Sequence, residues 1–263
     1  MANKPAFKSF HLAWTFHRNT SRWVHNSMLS NDGDDTPLPS KEYPNLPFSK
    51  LPPPADVDES MTNLIRERCS CREFSVDPIS TTDISTLLHH ALGIWGKDYW
   101  GASEFLERPA PSGGGMYPLE LYILSKNITD LKPGVHHYTP NAHGLEEIRE
   151  VELPENLLRY LFMGQYPVTQ ASCIILIAAD TNRSMKKYGD RGYRYLLLEA
   201  GHVAQNINLV STGLGLQSLN IGGFFDDELA QLCCLDQESE ILLYAVAIGK
   251  GNSTDKHVLR FSD

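Results

Sequence analysis

Four short runs of β-branched and large aliphatic residues, at 119–124, 174–179, 216–221 and 241–248, constrain this chain more than any other feature. Each is flanked by Pro, Gly, Asp or Ser, so each predicts a strand of a central sheet. None approaches the ~20 apolar residues that a membrane-spanning helix requires, which leaves the membrane out of the reading. Between the second and third runs, residues 191–212 place Tyr193, Leu196, Leu197, Ala200, Val203, Ala204, Ile207 and Val210 in one stripe. Gly213 and Gly215 then stop the pattern. At ~1.5 Å per residue that helix is over 30 Å long, enough to cross a domain.

Shorter signals complete the outline. Ser80 and Asp83 make a capping-box start for a helix whose Ile84, Leu87, Leu88, Ala91 and Leu92 share a face. Residues 60–68 predict another helix, leading into a polar turn at 69–72. Residues 134–138 and 145–151 flank a turn segment and predict a hairpin at a sheet edge. Strands alternating with helices predict an α+β domain of three layers (α/β/α), a central mixed sheet with helices on both faces.

The 263 residues suit one large domain or one domain with an appendage. Between residues 31 and 58 stand Pro37, Pro39, Pro44, Pro47, Pro52, Pro53 and Pro54, without helical or strand periodicity. We read residues 1–56 as an N-terminal extension and proline-rich arm, and 57–263 as the globular domain. The arm's Leu38, Tyr43, Leu46, Phe48 and Leu51 are too few for a core, so they are expected to pack on the main body or on a partner subunit.

Charge and cysteine usage exclude several classes. Twenty-three basic against 32 acidic residues give −9, the wrong sign for a phosphate-backbone partner, so nucleic acid is not expected. The first residues interleave basic, aromatic and polar types without a secretory apolar core, and the odd count of five cysteines suits a reducing compartment; both point to the cytoplasm. Cys69 and Cys71 have one residue between them, which is not zinc spacing, and adjacent histidines (His89-His90, His136-His137) point apart on a helix or strand, so no metal site is predicted.

Three segments offer chemistry. Arg68-Cys69-Ser70-Cys71-Arg72 sets two guanidiniums around a hydroxyl, which suits a phosphate, although a solvated basic turn has the same composition. Pro111-Ser112-Gly113-Gly114-Gly115, ahead of a core strand, lets a backbone approach a flat ligand closely, or makes a flexible loop. Gly222 and Gly223 follow the run at 216–221, where they present bare N–H groups or simply turn the chain. Glu199, His202 and Asn206 form a polar strip beside the apolar stripe of the long helix, read as packing at a dimer seam.

In this order and at these separations the three segments resemble the nitroreductase superfamily of flavin mononucleotide (FMN) enzymes, over roughly residues 60–263. The resemblance implies that Arg68, Ser70 and Arg72 hold the flavin phosphate and ribityl chain. It implies further that Pro111, Ser112, Gly113 and Gly114 lie beside the isoalloxazine, and that Gly223, with Gly222, directs a backbone N–H toward flavin N5. It also implies a homodimer with FMN in the subunit interface. Lys250, Lys256 and Arg260 are the basic residues available near the C-terminus for the phosphate.

Within the superfamily the chain is similar to the SagB/McbC-type dehydrogenases, which oxidise thiazolines and oxazolines of ribosomally made peptides to thiazoles and oxazoles. Phe16-His17-Arg18-Asn19-Thr20, the segments at 112–122 and 133–147, and the run from Lys187 to Tyr195 carry that similarity. It implies a catalytic Lys187–Tyr188 pair, with Lys186 as a neighbouring decoy. It also implies an azoline-containing precursor peptide as substrate, a cyclodehydratase complex as partner, and reoxidation by oxygen. Removing a proton and a hydride from an azoline needs a base beside the flavin, and a lysine desolvated next to an aromatic ring suits that task. An NAD(P)H-dependent nitro- or enone-reductase and a flavin-free scaffold subunit of a peptide-modifying complex are the alternatives.

Overall fold

The computed structural model describes residues 11–21, 40–100 and 103–251. Its elements begin with α1 (His11–Asn19), β1 (Phe48–Lys50), α2 (Met61–Glu67), α3 (Thr81–Leu92), β2 (Gly96–Trp100), β3 (Ser103–Glu107), β4 (Leu119–Ser125), β5 (Gly134–Thr139) and β6 (Gly144–Glu150). They continue with α4 (Glu155–Leu161), α5 (Pro167–Gln170), β7 (Cys173–Asp180), α6 (Thr181–Tyr188), α7 (Asp190–Gly213), β8 (Gln217–Ile221), α8 (Asp226–Leu232) and β9 (Glu240–Gly249).

Side chains on a strand alternate between faces, and that alternation builds the layers. Leu119, Leu121, Ile123, Ile175 and Ile177 pack on one side of β4 and β7 against α3 and α7, whereas Tyr122, Leu124, Ile174, Leu176 and Ala178 pack on the other against α4 and α8. Both faces are covered, so the three-layer expectation holds. In α3 the capping box is made as read, with Asp83 N–H donating to Ser80 Oγ at 3.0 Å and Ser80 N–H to Asp83 at 2.8 Å. Such a cap contributes about 1 kcal/mol, while each fully buried Leu or Ile contributes about 1.5–3 kcal/mol. The stripe therefore decides that α3 exists and the cap decides where it starts.

The seven-stranded sheet runs β1-β6-β5-β4-β7-β9-β8. All six pairings are antiparallel, which corrects the expectation of a mixed sheet. The α6–α7 crossover does return β8 in the direction of β7, but β9 inserts between them, antiparallel to both. Parallel contact among the described residues is confined to isolated bridges such as Ser70–Ser218.

The β5–β6 hairpin is not at the sheet edge either. Phe48, Ser49 and Lys50 pair with Glu146, Leu145 and Gly144, so β1 from the proline-rich segment takes the edge. Leu51 follows it into the core, its N–H donating to the His143 carbonyl at 3.1 Å. Leu38, Lys256 and Arg260 lie outside the described residues.

Residues 181–188, between the second predicted strand and the long helix, form α6. Asp180 caps it by accepting the Asn182 N–H at 3.0 Å, and Gly189, at φ 56°, ends it. Gly192 lets α7 fold back closely: a Cβ there would lie 2.9 Å from the Ser184 carbonyl oxygen. The start of α7 also holds α1, because Arg191 and Arg194 donate to the carbonyl and hydroxyl oxygens of buried Thr20.

Candidate functional site

The sheet register brings two predicted segments to one end of the molecule. Leu119 of β4 pairs with Ala179 of β7, so the loop entering β4 and the helix leaving β7 start side by side. That loop is the glycine turn, residues 113–115, in which Gly114 and Gly115 have φ of 66° and 67°. Only glycine takes such angles without strain. Tyr117 follows at φ 42°, an uncommon angle for a residue with a side chain.

Arg183 joins loop and helix. It is 3% exposed, donates to the Tyr117 carbonyl at 3.1 Å, and pairs with Glu120 of β4 at 2.6 Å. One turn later, Lys187 and Tyr188 reach the glycine turn. A Cβ on Gly114 would overlap the Tyr188 hydroxyl and would lie 3.3 Å from Lys187 Nζ, while one on Gly113 would lie 3.3 Å from the Tyr195 ring. Tyr195 meets Tyr188 edge-on with ring centroids 5.0 Å apart, and Lys187 Nζ sits 5.7 Å from the Tyr188 ring centroid. Lys187 is half-buried and Lys186 is exposed. An amine, a phenol and a side-chain-free backbone thus converge.

Behind the turn, Ser112 is occupied on both sides. Its oxygen accepts the Tyr117 N–H at 2.9 Å and its hydroxyl donates to Glu199 at 2.6 Å. Burial pushes the Glu199 carboxyl up to about 7, with the Ser112 hydrogen bond and Arg108 working in the opposite direction. The polar strip expected on α7 is therefore divided: Glu199 is buried with the apolar stripe, and His202 is exposed. Arg108, whose guanidinium stands 5.0 Å from the Tyr117 ring centroid, is a further site neighbour that sequence reasoning missed. The signal for Glu199 was its spacing, three residues after Leu196 and four before Val203; Arg108 had none.

The remaining predicted residues form a second group. Ser70 bridges Ser218 on β8, where Cys71 N–H donates to the Ser218 carbonyl at 2.9 Å. Arg68 is half-buried, Arg72 is exposed, and neither guanidinium has a hydrogen-bond or ion-pair partner among the described residues. β8 runs from Ser218 to the Gly222–Gly223 turn, whose Gly223 carbonyl accepts Gln165 Nε2 at 2.8 Å. Two strands, β7 and β9, separate β8 from β4, a lateral distance of about 14 Å. The structure therefore brings Lys187 and Tyr188 to Gly114, with Tyr195 at Gly113, and Ser70, between Arg68 and Arg72, to the strand that leads to Gly222 and Gly223, two strands away.

The histidine pairs fall elsewhere. His136 and His137 are buried on β5, His137 between Glu146 at 2.8 Å and Glu120 at 3.1 Å. Burial opposes its charge, but the two carboxylates outweigh burial and hold its pKa above the ordinary value. Main-chain N–H groups of Lys41 and Tyr43 donate to the same two glutamates, which fastens that segment to the sheet.

The pattern of the nitroreductase family matches residues 65–250. The chain belongs to the nitroreductase family. A protein of Methanocaldococcus jannaschii named as a nitroreductase is 31% identical over 193 residues, 72% of this chain and 91% of that protein. The microcin B17-processing protein McbC of Escherichia coli is 32% identical over 157 residues, 56% of each chain. Among solved structures, a protein of Anabaena variabilis named as a nitroreductase superposes with a TM-score of 0.74 at 23% identity, over 95% of this chain and 49% of that one. An E. coli chain in the microcin synthetase McbBCD complex, with a truncated precursor bound, superposes with a TM-score of 0.61 at 24% identity, over 94% of this chain and 95% of that one. The chain thus spans about half the length of McbC and of the Anabaena protein. The likeness to McbC supports the expected branch, and the superpositions establish the fold.

Proposed function

We propose that this protein is an FMN-dependent dehydrogenase that converts thiazoline or oxazoline rings of a ribosomally made peptide into thiazoles or oxazoles. The observation that carries this reading is the convergence of Lys187 Nζ and Tyr188 Oη on the bare backbone of Gly114. The relationship to McbC supports it.

The residues present fit FMN. Arg68 and Arg72, on either side of Ser70 and without a hydrogen-bond or ion-pair partner among the described residues, suit a phosphate, which guanidiniums bind by forked, charge-assisted hydrogen bonds. Gly113 and Gly114, whose Cβ directions are taken by Tyr195 and by Tyr188, leave only main chain to meet a flat ring, and Gly222 and Gly223 add main-chain groups at the end of β8. Bound FMN supplies the two-electron acceptor for the hydride that leaves the azoline carbon, with dioxygen as the final oxidant. Lys187 takes the proton from the carbon beside the ring nitrogen, so proton and hydride together account for the two hydrogens lost. Tyr188, braced by Tyr195, orients that amine. Lys186, pointing to solvent, is not the base.

An azoline forms when a cysteine, serine or threonine side chain condenses with the preceding amide, so a cyclodehydratase complex acting on the same precursor peptide is the matching partner. Exposed Leu197 and Leu198 on α7 support a homodimer. Among the described residues no helix is long and apolar enough to cross a membrane, and we place the protein in the cytoplasm with its peptide.

The test is the visible spectrum of purified protein, mixed anaerobically with an azoline peptide. Flavin bands that bleach as each ring loses two hydrogens in mass establish the reading. A second reading, a nitro- or enone-reductase, is favoured by the M. jannaschii relative, which is matched over nearly its whole length. Bleaching by NADPH and not by the peptide would select it.

A further inference from the structure

A buried carboxyl stands behind the glycine turn and takes no part in the chemistry just described. Glu199 is 3% exposed, flanked on α7 by buried Leu196 and Val203. Its Oε2 accepts the Ser112 hydroxyl at 2.6 Å, and its Oε1, also buried, has no partner among the described residues. A buried polar atom without a partner is destabilising, and an apolar side chain would suit this stripe better. Stability alone therefore does not account for a glutamate here.

Its connection does. Tyr117 N–H donates to Ser112 Oγ at 2.9 Å and Ser112 donates onward to Glu199, so the two hydrogen bonds close the turn from behind. The loop they close holds left-handed angles at Gly114, Gly115 and Tyr117, and the last of these needs its surroundings to hold it. The same loop presents Gly114 to Tyr188 and Lys187, and Gly113 to Tyr195.

We propose that Glu199 is a positioning residue of this site: acting through Ser112 as a hydrogen-bond acceptor and not as a charge, it fixes the Gly113–Gly114 turn where Tyr188 and Lys187 meet it. The inference rests on the proposed placing of that turn against the flavin ring. Burial raises the Glu199 pKa to about 7, in keeping with a group that spends much of its time as the neutral acid. A glutamine reproduces that form, one oxygen to accept from Ser112 and one donor in place of the acid O–H.

Amide hydrogen exchange across residues 113–117 in flavin-free protein tests the proposal, together with FMN affinity from fluorescence quenching. Ser112→Ala and Glu199→Ala should each speed exchange of the Tyr117 amide about tenfold and weaken FMN about tenfold. The double variant should be no worse than the worse single one, because both break one chain of hydrogen bonds. Glu199→Gln should stay within about twofold of the parent in both measurements. Damage by Glu199→Gln equal to that of Glu199→Ala would show that charge is what matters and would overturn the proposal. Unchanged exchange in Glu199→Ala would overturn it as well. Should Glu199→Ala not fold, the contrast between Glu199→Gln and Ser112→Ala decides by the same criteria. Wild-type protein that binds no FMN would remove the flavin reading alone, since the exchange experiment reads the Glu199–Ser112 link without it.

Discussion

The hydroxyl of Tyr188 occupies the space that any side chain on Gly114 would need, and the backbone of Gly114 lies in the left-handed region as well. Gly114→Ala therefore faces both a steric and a conformational penalty, and its relief must displace Tyr188. We expect a loss of about 1–3 kcal/mol in stability, and azole formation reduced by about a hundredfold because the Lys187–Tyr188 pair is misplaced. Thermal unfolding and single-turnover kinetics measure the two separately.

Lys187→Ala should leave the protein yellow and folded while azole formation falls by about 10²–10⁴, the usual contribution of a general base. Lys186→Ala should behave as the parent. Equal turnover by the parent and Lys187→Ala would remove Lys187 from the proposed role.

Arg68→Ala and Arg72→Ala act on retention of the cofactor. Each removes a charge-assisted contact of about 1.5–3 kcal/mol, so FMN affinity should fall about tenfold or more for each. The flavin-to-protein ratio after gel filtration reads this directly, and a full complement in both variants would exclude the turn as the phosphate site.

The pH dependence of stability has a definite sign. Glu199 rises from the ordinary 4.5 to about 7 in the folded protein, so between those values the native state holds a proton that the unfolded chain has released. Stability consequently falls as pH rises through this interval, by about 3 kcal/mol from this group. His137, held above its ordinary value, adds stability that is complete below about pH 6.5 and is lost as pH rises through its folded value. Urea midpoints at pH 5 and pH 8 should differ accordingly, and Glu199→Gln should remove its share of the difference while leaving that of His137.

Much of the fold was legible because its signals are local. The apolar runs fall within β4, β7 and β9 and, but for Leu216, within β8, and the stripes of α3 and α7 are where their periodicity places them, except for Leu197, which the α7 stripe includes but which is 43% exposed because it turns away from the sheet. Strand order was not legible, because the contact of β9 with β7 joins segments sixty or more residues apart. Nor was α6, whose sequence from Thr181 to Tyr188 is too polar to show a stripe and is held by the Asp180 cap and by Gly192. At the candidate site, residue types exposed the glycine turn and the Lys–Tyr pair. Glu199 is marked only by its spacing within the apolar stripe, while Arg183 and Arg108 look like ordinary surface charges in one dimension, and only tertiary packing covers them.

The edge strand β1 has a further meaning for the order in which the chain assembles. Phe48 meets Glu146 almost a hundred residues later, so during synthesis this segment emerges long before its place exists. Until it docks, β6 presents a row of unpaired main-chain groups, the kind of edge that recruits a strand from another molecule. Deleting residues 40–51 should therefore lower the yield of soluble protein more than the specific activity of whatever folds, and the natural segment works as an intramolecular guard against aggregation.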